Sequence, residues 1–552
     1  MKLQKTMTDQ KLRGGYYTPK IIRDFLVNWA VDSTTKSILE PSCGDGGFFE
    51  TVFDGEYKKI KEVVGIELNP EEAKKAEKIV SKFGKNSTIV NDDFFKYYVT
   101  TLEKKKFDVI LGNPPFIRYQ YFDEEQQNAA QQAMLSAGIK IDKLSNIWAP
   151  FLIASVTCLN EGGRLAMVIP GEIMHVNYSS KIRLFLSELQ AKITLITFNQ
   201  LVFPDVQQEV ILLLIDKQKK SEKIENFTNS KMNIIQLKDV ESLNFFDLNS
   251  IPVNQYKNVK PTEEKWTKFF LTKEQLKELD IIEKNSLVSK LGDLATVDVG
   301  IVTGANEYFV VNEDILKKYE LEKISLPLVG RSLHINGLIF EKKDWNENKK
   351  KQIASHLLNF PDNKYENYSE LMKKYIEMGE KNNIHEGYKT GIRKRWYQVP
   401  SIWKPDAFLM RRSHKFPKLV LNNADSFTTD TMHRVKIKED VDLQSLIFCF
   451  YNSITMASCE IIGRSHGGGV LEILPNDAET ILIPYKKIAA KHLQKIDSMF
   501  RKNREIDPIL DYVDDILLKD HLNLSSKSIS EFRTIQKILT KRRLNRRQSN
   551  KS

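Results

Sequence analysis

The amino-acid sequence predicts an α/β fold with a parallel sheet in its first part, and a mixed, mainly β fold with terminal helices in its second part. Two observations predict it: strand-type and helical patterns alternate over residues 1–216, and the sequence becomes strand-rich after residue 290. The 552 residues suffice for about three or four domains of roughly 100–200 residues each. We predict a first domain over 1–225, a connector over 226–290, a second domain over 291–485, and helices with a basic tail over 486–552.

The alternation in the first part is typical of a parallel sheet with helices on both faces. Helical patterns cover Lys20–Val31 and Pro70–Phe83. A short loop precedes the last strand-type run, which predicts an antiparallel end to the sheet. The strand-type runs are Ser37–Leu39, Glu62–Ile66, Ser87–Val90, Phe107–Leu111, Arg164–Ile169, Ile193–Phe198 and Val210–Ile215.

The overall composition is that of a folded globular protein, because 41% of the residues are hydrophobic and 28% are charged. No run of about 18 apolar residues predicts a membrane-spanning helix. The first residues, Met1 to Lys5, are not followed by an apolar segment, so we expect no signal peptide. Four scattered cysteines are too few for a disulfide framework or a zinc site. We therefore expect no metal and a reducing, cytoplasmic location.

Charge is distributed unevenly along the chain. Residues 1–220 contain 29 basic and 27 acidic side chains and residues 221–552 contain 54 and 45, so most of the net charge of +11 lies in the second part. Such an excess favours contact with a polyanion, and a solvated lysine-rich surface is the alternative. The candidate contacts lie in basic stretches and are Arg393, Lys394, Arg395, Arg411, Arg412 and Arg464, with the tail 541–547 expected as a disordered phosphate contact.

A glycine-rich turn follows the first predicted strand and opens a helix. Its glycines, including Gly44 and Gly46, let the backbone bend tightly and approach a ligand. Glu67 ends the next strand, 23 residues after Gly44, where a carboxylate can accept hydrogen bonds from both hydroxyls of a ribose. This combination fits either a dinucleotide or S-adenosylmethionine.

An acidic and aromatic pair, Asp93 and Phe94, follows the third predicted strand. A carboxylate there can accept an adenine amino proton while an aromatic ring stacks on the base. Asp92 is the alternative acceptor, or the cap of the following helix.

The motif Asn113-Pro114-Pro115-Phe116 follows the run Phe107–Leu111, at the strand end where ligands bind in doubly wound sheets. The prolines restrict the backbone, so the Asn113 amide oxygen and the Pro114 carbonyl oxygen can both accept protons from one amino group. The lone pair of that amino group is then directed at an electrophile. Phe116 offers an aromatic face to a planar base. The alternative is a proline-stiffened loop without function.

With these motifs in this order, residues 14–216 resemble the gamma-group N6-adenine DNA methyltransferases. The family's opening motif matches Gly14 to Pro19, and its helix beside the cofactor pocket matches the segment that begins at Ser145 and runs to Gly163. The resemblance implies a Rossmann-like domain that binds S-adenosylmethionine. It also implies that Phe116 and Phe203, which precedes Pro204, stack on a flipped target base. The implied cofactor residues are Thr18, Glu40, Ser42, Cys43, Gly44, Glu67, Asp93, Phe94 and Asn113, and the implied catalytic residues are Asn113, Pro114, Pro115 and Phe116.

The second part resembles, more loosely, the target recognition domains of restriction–modification methyltransferases, at residues 291–306 and 467–471. The resemblance implies methyl transfer to the N6 amino group of a flipped adenine in double-stranded DNA, as the modification enzyme of a type II restriction–modification system. Flipping costs a few kcal/mol, which stacking on aromatic side chains offsets by about 1–3 kcal/mol per contact. The expected partners are duplex DNA and a cognate restriction endonuclease that acts on the same site without a stable complex, in the bacterial cytoplasm and with no membrane.

Three alternatives remain open from the sequence. A protein-glutamine or RNA methyltransferase also uses an Asn-Pro-Pro-aromatic motif, and the long basic second part argues against it. A fused restriction–modification enzyme needs a nuclease, for which we find no Asp…Glu-x-Lys set and expect no room before Gly14. A non-catalytic DNA-binding protein on the same scaffold is disfavoured by the intact motif from Asn113 to Phe116.

Overall fold

The structure is a computed structural model, and it describes residues 17–55, 57, 59–83, 86–140, 146–200, 202–203, 209–219, 228–262 and 264–545. The chain divides into two compact units. The first unit contains the described residues up to Thr272 together with Asn545, and the second unit contains Lys273–Leu544.

The first unit is built on a nine-stranded sheet with the order β3-β2-β1-β4-β5-β7-β6-β8-β9. The five strands from β3 to β5 run parallel, whereas β7 runs antiparallel to both of its neighbours, so the predicted antiparallel end is present. The strands are β1 (Ser37–Glu40), β2 (Glu62–Ile66), β3 (Thr88–Val90), β4 (Phe107–Gly112), β5 (Leu159–Pro170), β6 (Ala191–Phe198), β7 (Val210–Lys217), β8 (Lys231–Leu237) and β9 (Lys257–Asn258).

Helices cover both faces of this sheet. Successive strand residues point to opposite sides, so apolar strands present an apolar surface on each face. In β1, Ile38 belongs to the core cluster under α1 to α3, and Leu39 belongs to the cluster under α4 to α7. The α/β fold class is therefore confirmed. The helices are α1 (Lys20–Ala30), α2 (Gly47–Asp54), α3 (Pro70–Val80), α4 (Phe94–Tyr97), α5 (Glu124–Ser136), α6 (Trp148–Thr157) and α7 (Ser180–Glu188).

The predicted connector over 226–290 differs from the structure. Strand β8 pairs in parallel with β6 over seven residues, and β9 pairs with β8, so both strands extend the sheet of the first unit. Trp266 and Phe269 are buried in its core. The strands were missed because β8 carries polar residues among its apolar ones and is flanked by lysines, which weakens the hydrophobic pattern.

The second unit contains four small sheets. Their orders are β10-β22, β11-β19-β16-β18-β14, β12-β15-β13 and β17-β21-β20. The strands are β10 (Val288–Lys290), β11 (Ala295–Val299), β12 (Val310–Val311), β13 (Ser325–Pro327), β14 (Ile339–Glu341), β15 (His356–Leu358), β16 (Ala407–Met410), β17 (Arg412–Ser413), β18 (Leu419–Asn423), β19 (Met432–Ile437), β20 (Arg464–His466), β21 (Val470–Glu472) and β22 (Leu482–Pro484).

Helices also lie between the strands of this unit in the chain, and helices dominate the end of the chain, as predicted. No single described helix is long and apolar enough to cross a membrane, although α15 and α16, which meet at a 75° bend, reach that length and composition as a pair. The helices are α8 (Lys273–Glu283), α9 (Leu291–Leu294), α10 (Asn306–Phe309), α11 (Glu313–Tyr319), α12 (Lys342–Lys350), α13 (Glu370–Lys381), α14 (Tyr388–Gly391), α15 (Leu443–Phe450), α16 (Ser453–Ile462), α17 (Pro475–Ala478), α18 (Ala490–Asn503), α19 (Asp507–Asp514) and α20 (Ser526–Asn545).

The basic tail is not the disordered phosphate contact that we predicted, as far as the described residues reach. Helix α20 continues to Asn545, and Arg542 and Arg543 within it are buried. Arg543 forms an ion pair with Glu460 of α16. The remaining part of the predicted tail, from residue 546, lies outside the described residues.

Candidate active site

A cavity of about 820 Å³ lies at the carboxyl ends of β1, β2 and β4, where the loops after these strands meet. Because parallel strands end at one edge of a sheet, motifs far apart in sequence converge there. Three of the predicted residues, Pro114, Phe116 and Phe203, do not line this cavity. The predicted residues that do line it are Thr18, Glu40, Ser42, Cys43, Gly44, Glu67, Asp93, Phe94, Asn113 and Pro115.

Two glycines shape the loop between β1 and α2. Gly44 and Gly46 have φ angles of +53° and +88°, in the left-handed region that favours glycine. A Cβ on Gly46 would lie 3.0 Å from the Cα of Ala76 in α3, so a side chain would clash there. A Cβ on Gly44 would meet no atom within 4 Å, so the backbone at Gly44 is open to a ligand.

Cys43, in the same loop, donates a backbone hydrogen bond to the Ile66 carbonyl oxygen over 2.9 Å. This bond ties the loop after β1 to the end of β2. Burial raises the pKa of the Cys43 thiol well above its usual value, so the thiol remains protonated and acts as a packing group.

Glu67, which directly follows β2, bonds to the glycine loop that follows β1. Its Oε2 accepts a hydrogen bond from the Gly44 N–H at 2.9 Å, and its Oε1 accepts one from the Asn69 N–H at 2.8 Å. Burial raises the pKa of this carboxyl, and the two N–H donors oppose that rise. Each carboxylate oxygen can accept more than one hydrogen bond, so Glu67 keeps capacity for hydroxyl groups of a ligand.

Glu40 is the most deeply buried acid of the cavity, with 2% of its surface exposed. Its Oε2 has no hydrogen-bond partner among the described residues. Burial and the nearby charges of Asp45 and Glu67 raise the pKa of Glu40 well above its usual value, and Arg23 opposes the rise. A buried carboxylate oxygen without a donor is costly, and a raised pKa is the response that burial favours.

Asp93 caps helix α4, so the alternative in which Asp92 caps this helix is wrong. Its Oδ1 accepts from the N–H groups of Phe95 and Lys96 at 2.9 and 3.1 Å. Its Oδ2 accepts from Gln126 Nε2 at 3.1 Å. Asp93 is buried while Asp92 is exposed, and both line the cavity.

Gln126 was missed by the sequence reasoning. It stands at the third position of α5, in a capping box with Asp123. The Asp-x-x-Gln spacing predicts the start of a helix, but it does not reveal that the glutamine reaches Asp93 in another element.

Phe94 packs against the helix that was predicted to line the cofactor pocket. Its ring stacks on Phe151 of α6, with centroids 4.8 Å apart and planes 16° apart. Both rings line the cavity and are otherwise buried. Of the predicted helix segment, Ser145 lies outside the described residues.

The loop from Asn113 to Phe116 leaves β4 beside the glycine loop. The Ser42 hydroxyl donates to the Asn113 carbonyl oxygen at 3.4 Å, which links the two loops. Pro114 is buried, and Phe116 is half-buried against the core clusters on both sides of the sheet. Phe203, 8% exposed, belongs to one of these clusters. Pro204 lies outside the described residues.

The lining of the cavity is strongly acidic. Arg23 is the one basic side chain among the described residues that line it. Its Nη1 donates to the Thr18 carbonyl oxygen at 3.4 Å, and it lies 3.7 Å from Glu50. Arg23 was missed because it lies on a helix rather than in a motif. The acidic lining residues are Glu40, Asp45, Glu67, Glu72, Asp92 and Asp93.

In the second unit, Arg393 and Arg395 make hydrogen bonds or ion pairs with other residues of the chain, whereas Lys394 between them does not do so among the described residues. Arg393 donates to the carbonyl oxygens of Thr303, Val302 and Trp396 at 2.7, 3.1 and 3.3 Å. Arg395 forms an ion pair with Asp362. Lys394 is exposed.

The other predicted DNA contacts lie around the sheet β17-β21-β20. The Nε atoms of Arg411 and Arg412 each lie 3.0 Å from Glu472 Oε1, and these side chains are 29% and 64% exposed. Arg464 is 17% exposed and pairs with Asp477 at 3.3 Å. Within this group, Arg412 therefore presents the most surface to solvent.

Comparison with known proteins gives the family of this chain. The model of the N-6 DNA Methylase family matches residues 3–285, just over half of the chain. The chain belongs to the N-6 DNA Methylase family. It is an adenine-specific DNA methyltransferase, as the sequence predicted. A second model, the C-terminal domain of Type II methyltransferase M.Eco57I, matches residues 263–518 of this methylase.

Individual relatives are distant. Type II methyltransferase M.AccI of Acinetobacter calcoaceticus is 24% identical over 476 residues, covering 84% of this methylase and 83% of the relative. Type II methyltransferase M.HindII of Haemophilus influenzae is 23% identical over 379 residues, covering 66% and 68%. Among solved structures, the type IIG restriction endonuclease BpuSI is 13% identical with a TM-score of 0.38, covering 97% of this chain and 65% of that one.

Proposed function

We propose that this methylase transfers a methyl group from S-adenosylmethionine to the N6 amino group of a flipped-out adenine at a specific site in duplex DNA. The observation that carries the proposal is the convergence of Asn113 and the glycine loop, linked through Ser42, on one acidic cavity. In that arrangement the acceptor for an amino group lies next to a pocket for a cationic cofactor.

The charges of the lining favour S-adenosylmethionine over a dinucleotide, the two ligands that the motifs left open. Six carboxyl groups and one guanidinium line the cavity among the described residues. A pyrophosphate would be repelled by this lining, whereas a sulfonium and an ammonium group are attracted to it. The Oε2 atom of buried Glu40 has no donor among the described residues, and a bound cation would stabilise the charged form of this carboxyl.

The remaining cofactor contacts follow from the positions of the predicted residues. Glu67 accepts hydrogen bonds from the ribose hydroxyls, and Gly44 lets the ligand approach its backbone. Asp93, held by Gln126, accepts the amino group of the cofactor's adenine, and Phe94 contacts the ring of that adenine. Thr18, Ser42 and Cys43 complete the wall of the cavity.

The bound cofactor supplies an electrophilic methyl group on a positively charged sulfur. The Asn113 amide oxygen and the Pro114 carbonyl oxygen accept the two protons of the target amino group, so its lone pair faces that methyl group. Phe116 and Phe203 stack on the two faces of the flipped base. With the cofactor bound, the amino nitrogen would take the methyl group, the demethylated cofactor would leave with the electron pair on sulfur, and the surplus proton would pass to water.

The likeness to proteins named type II methyltransferases supports a role as the modification enzyme of a restriction–modification system. The cognate endonuclease would act on the same site without a stable complex. The net positive charge of the second unit supports contact with duplex DNA.

One incubation tests the proposal. The purified chain is mixed with methyl-labelled S-adenosylmethionine and, in parallel, duplex DNA, single-stranded RNA or a bacterial protein extract. We expect label in the duplex only, recovered as N6-methyladenine after digestion. Label in RNA or on protein glutamine, or no label in any substrate, would reject the proposed function.

A further inference from the structure

The small sheet β17-β21-β20 gathers three basic side chains on one carboxylate. Glu472 in β21 is 7% exposed, and its Oε1 accepts from Arg411 Nε and Arg412 Nε at 3.0 Å. Its Oε2 lies 2.9 Å from His466 Nε2. One carboxylate balances one guanidinium, so the cluster keeps a net positive charge that is held in a fixed place.

Arg412 is the member of the cluster that is available to a partner. Its side chain is 64% exposed, and its Nε is occupied by Glu472. Within the part of the chain that the structure describes, no acceptor pairs with its two terminal nitrogen atoms. Two parallel N–H donors on an oriented guanidinium match the two oxygens of a phosphate group.

The turn between β20 and β21 lies beside this cluster. Gly468 and Gly469 have φ angles of +74° and +76°, and a Cβ on Gly468 would meet no atom within 4 Å. Glycine is needed for this backbone conformation. At Gly468, which is exposed, it also leaves the backbone open to close approach by a large ligand, whereas Gly469 is buried against α20.

The C-terminal helix α20 holds this turn in place. The Arg543 guanidinium donates to the carbonyl oxygens of Gly469, just before β21, and of His414, just after β17. It also forms an ion pair with Glu460, and the two side chains are 1% and 3% exposed. Thr540 of the same helix donates to Glu460 at 2.8 Å.

A buried ion pair is weak evidence for stability, because desolvation of both charges offsets their attraction. The Arg543–Glu460 pair instead fixes the position of the Arg543 guanidinium relative to β17 and β21. The Arg543 guanidinium bonds to the backbone just after β17, which carries Arg412, and just before β21, which carries Glu472. A movement of either segment would break one of these hydrogen bonds.

We propose that the sheet β17-β21-β20 and its glycine turn form a preassembled contact for the phosphate backbone of DNA. Arg412 is the contacting residue, Glu472 is the positioning residue that orients it, and Arg543 holds the turn. The inference rests on the proposed function, because the partner is the duplex that the enzyme modifies. We favour this surface over the stretch 393–395, where Arg393 bonds to backbone carbonyl oxygens and Arg395 pairs with Asp362.

The first experiment measures the affinity of the full-length chain for a fluorescein-labelled random-sequence duplex over a range of salt concentrations. For Arg412→Ala we expect the slope of log affinity against log salt to fall by about 0.9, the value for one phosphate contact. The loss should be equal for different duplex sequences. The matched control is Lys404→Ala, which removes another exposed, ion-paired cation of the second unit, 52% exposed beside Asp425; its slope should not change.

An unchanged slope for Arg412→Ala overturns the phosphate contact. A loss confined to duplexes with one particular base pair also overturns it, because it would assign Arg412 to a base edge.

Glu472→Gln tests the role of Glu472, because two explanations of the cluster predict opposite changes in DNA affinity. Glu472→Gln removes a negative charge, so a simple charged patch would bind DNA more tightly. If Glu472 positions Arg412, the affinity falls despite the added net charge. Because this variant can fail to fold, Arg412→Lys serves as a second test. Lysine keeps the positive charge but lacks the two parallel N–H donors of the guanidinium. We therefore expect weaker DNA binding than in the wild type. An affinity equal to that of the wild type would overturn the positioning role.

Two further measurements separate this inference from the proposed function. Arg412→Ala should raise KM for DNA far more than it lowers kcat, and its affinity for S-adenosylmethionine should remain that of the wild type in calorimetry. If the wild type methylates duplex DNA and Arg412→Ala keeps a normal salt slope, only the phosphate contact is rejected. If the wild type methylates no duplex, the proposed function itself fails.

Discussion

The carboxylate of Glu67 accepts a hydrogen bond of 2.9 Å from the backbone N–H of Gly44, across 23 residues of sequence. The acid at the end of β2 thereby holds the glycine loop that follows β1. Both residues line the same cavity, so the contact orders the loop and holds the carboxylate at the cavity wall.

Glu67→Ala tests the role of this acid in cofactor binding. We expect S-adenosylmethionine affinity to fall by about 1–3 kcal/mol, because ribose hydroxyls and the Gly44 N–H lose a buried acceptor. Isothermal titration calorimetry measures the change. The control is Glu71→Ala, an exposed acid on α3 outside the cavity lining, whose affinity should match the wild type. Equal affinities for the two variants would contradict the assignment.

Glu40→Gln should make the protein more stable without cofactor and weaken cofactor binding. Burial raises the pKa of Glu40 in the folded state, so the fold favours the protonated form. The folded state therefore loses stability as the pH rises above about 4.3, the pKa of a glutamate carboxyl in the unfolded chain. We expect a higher Tm for the variant at neutral pH, and no difference at pH values below that unfolded pKa.

Thermal melts over a pH series measure this effect, and calorimetry measures the expected loss of S-adenosylmethionine affinity. A variant that melts lower than the wild type at neutral pH would show that Glu40 is not an unpaired charge in the empty cavity.

Asn113→Ala should remove one of the two acceptors of the target amino group. We expect methyl transfer to slow by about 10²-fold, or about 2.7 kcal/mol, with cofactor affinity almost unchanged. Single-turnover kinetics with a site-containing duplex measure the rate. Asn128→Ala, an exposed change on α5, is the control and should keep the wild-type rate. Near-normal turnover by Asn113→Ala would exclude the catalytic role.

Arg393→Ala should affect stability rather than DNA binding. Its guanidinium donates to three backbone carbonyl oxygens, and hydrogen bonds from charged groups contribute about 1.5–3 kcal/mol. We expect urea unfolding of the second unit at lower denaturant concentration. Lys394→Ala, beside it and exposed, should leave stability unchanged. If both variants are as stable as the wild type and Arg393→Ala loses DNA affinity, Arg393 is a DNA contact after all.

Much of the first unit could be predicted from the sequence, because local patterns determine it. Apolar runs of strand length alternate with amphipathic helices, and the motifs at Gly44, Glu67, Asp93 and Asn113 each follow a strand. Parallel strands end at one edge, so these residues had to converge. The strand β8 was missed because polar residues weaken its own hydrophobic pattern, so only its pairing with β6 in the folded protein reveals it.

The sequence by itself determined the α/β fold and the residues whose backbone position places them at the cavity. Only the tertiary structure decided which side chains meet. It placed Gln126 on Asp93 and left Glu40 Oε2 without a donor among the described residues. It also turned Arg393 and Arg543 inward while Arg412 stays exposed. The physical reason is that a side chain's partner depends on distances between elements, and a basic stretch has the same composition whether its charges face carbonyl oxygens or solvent.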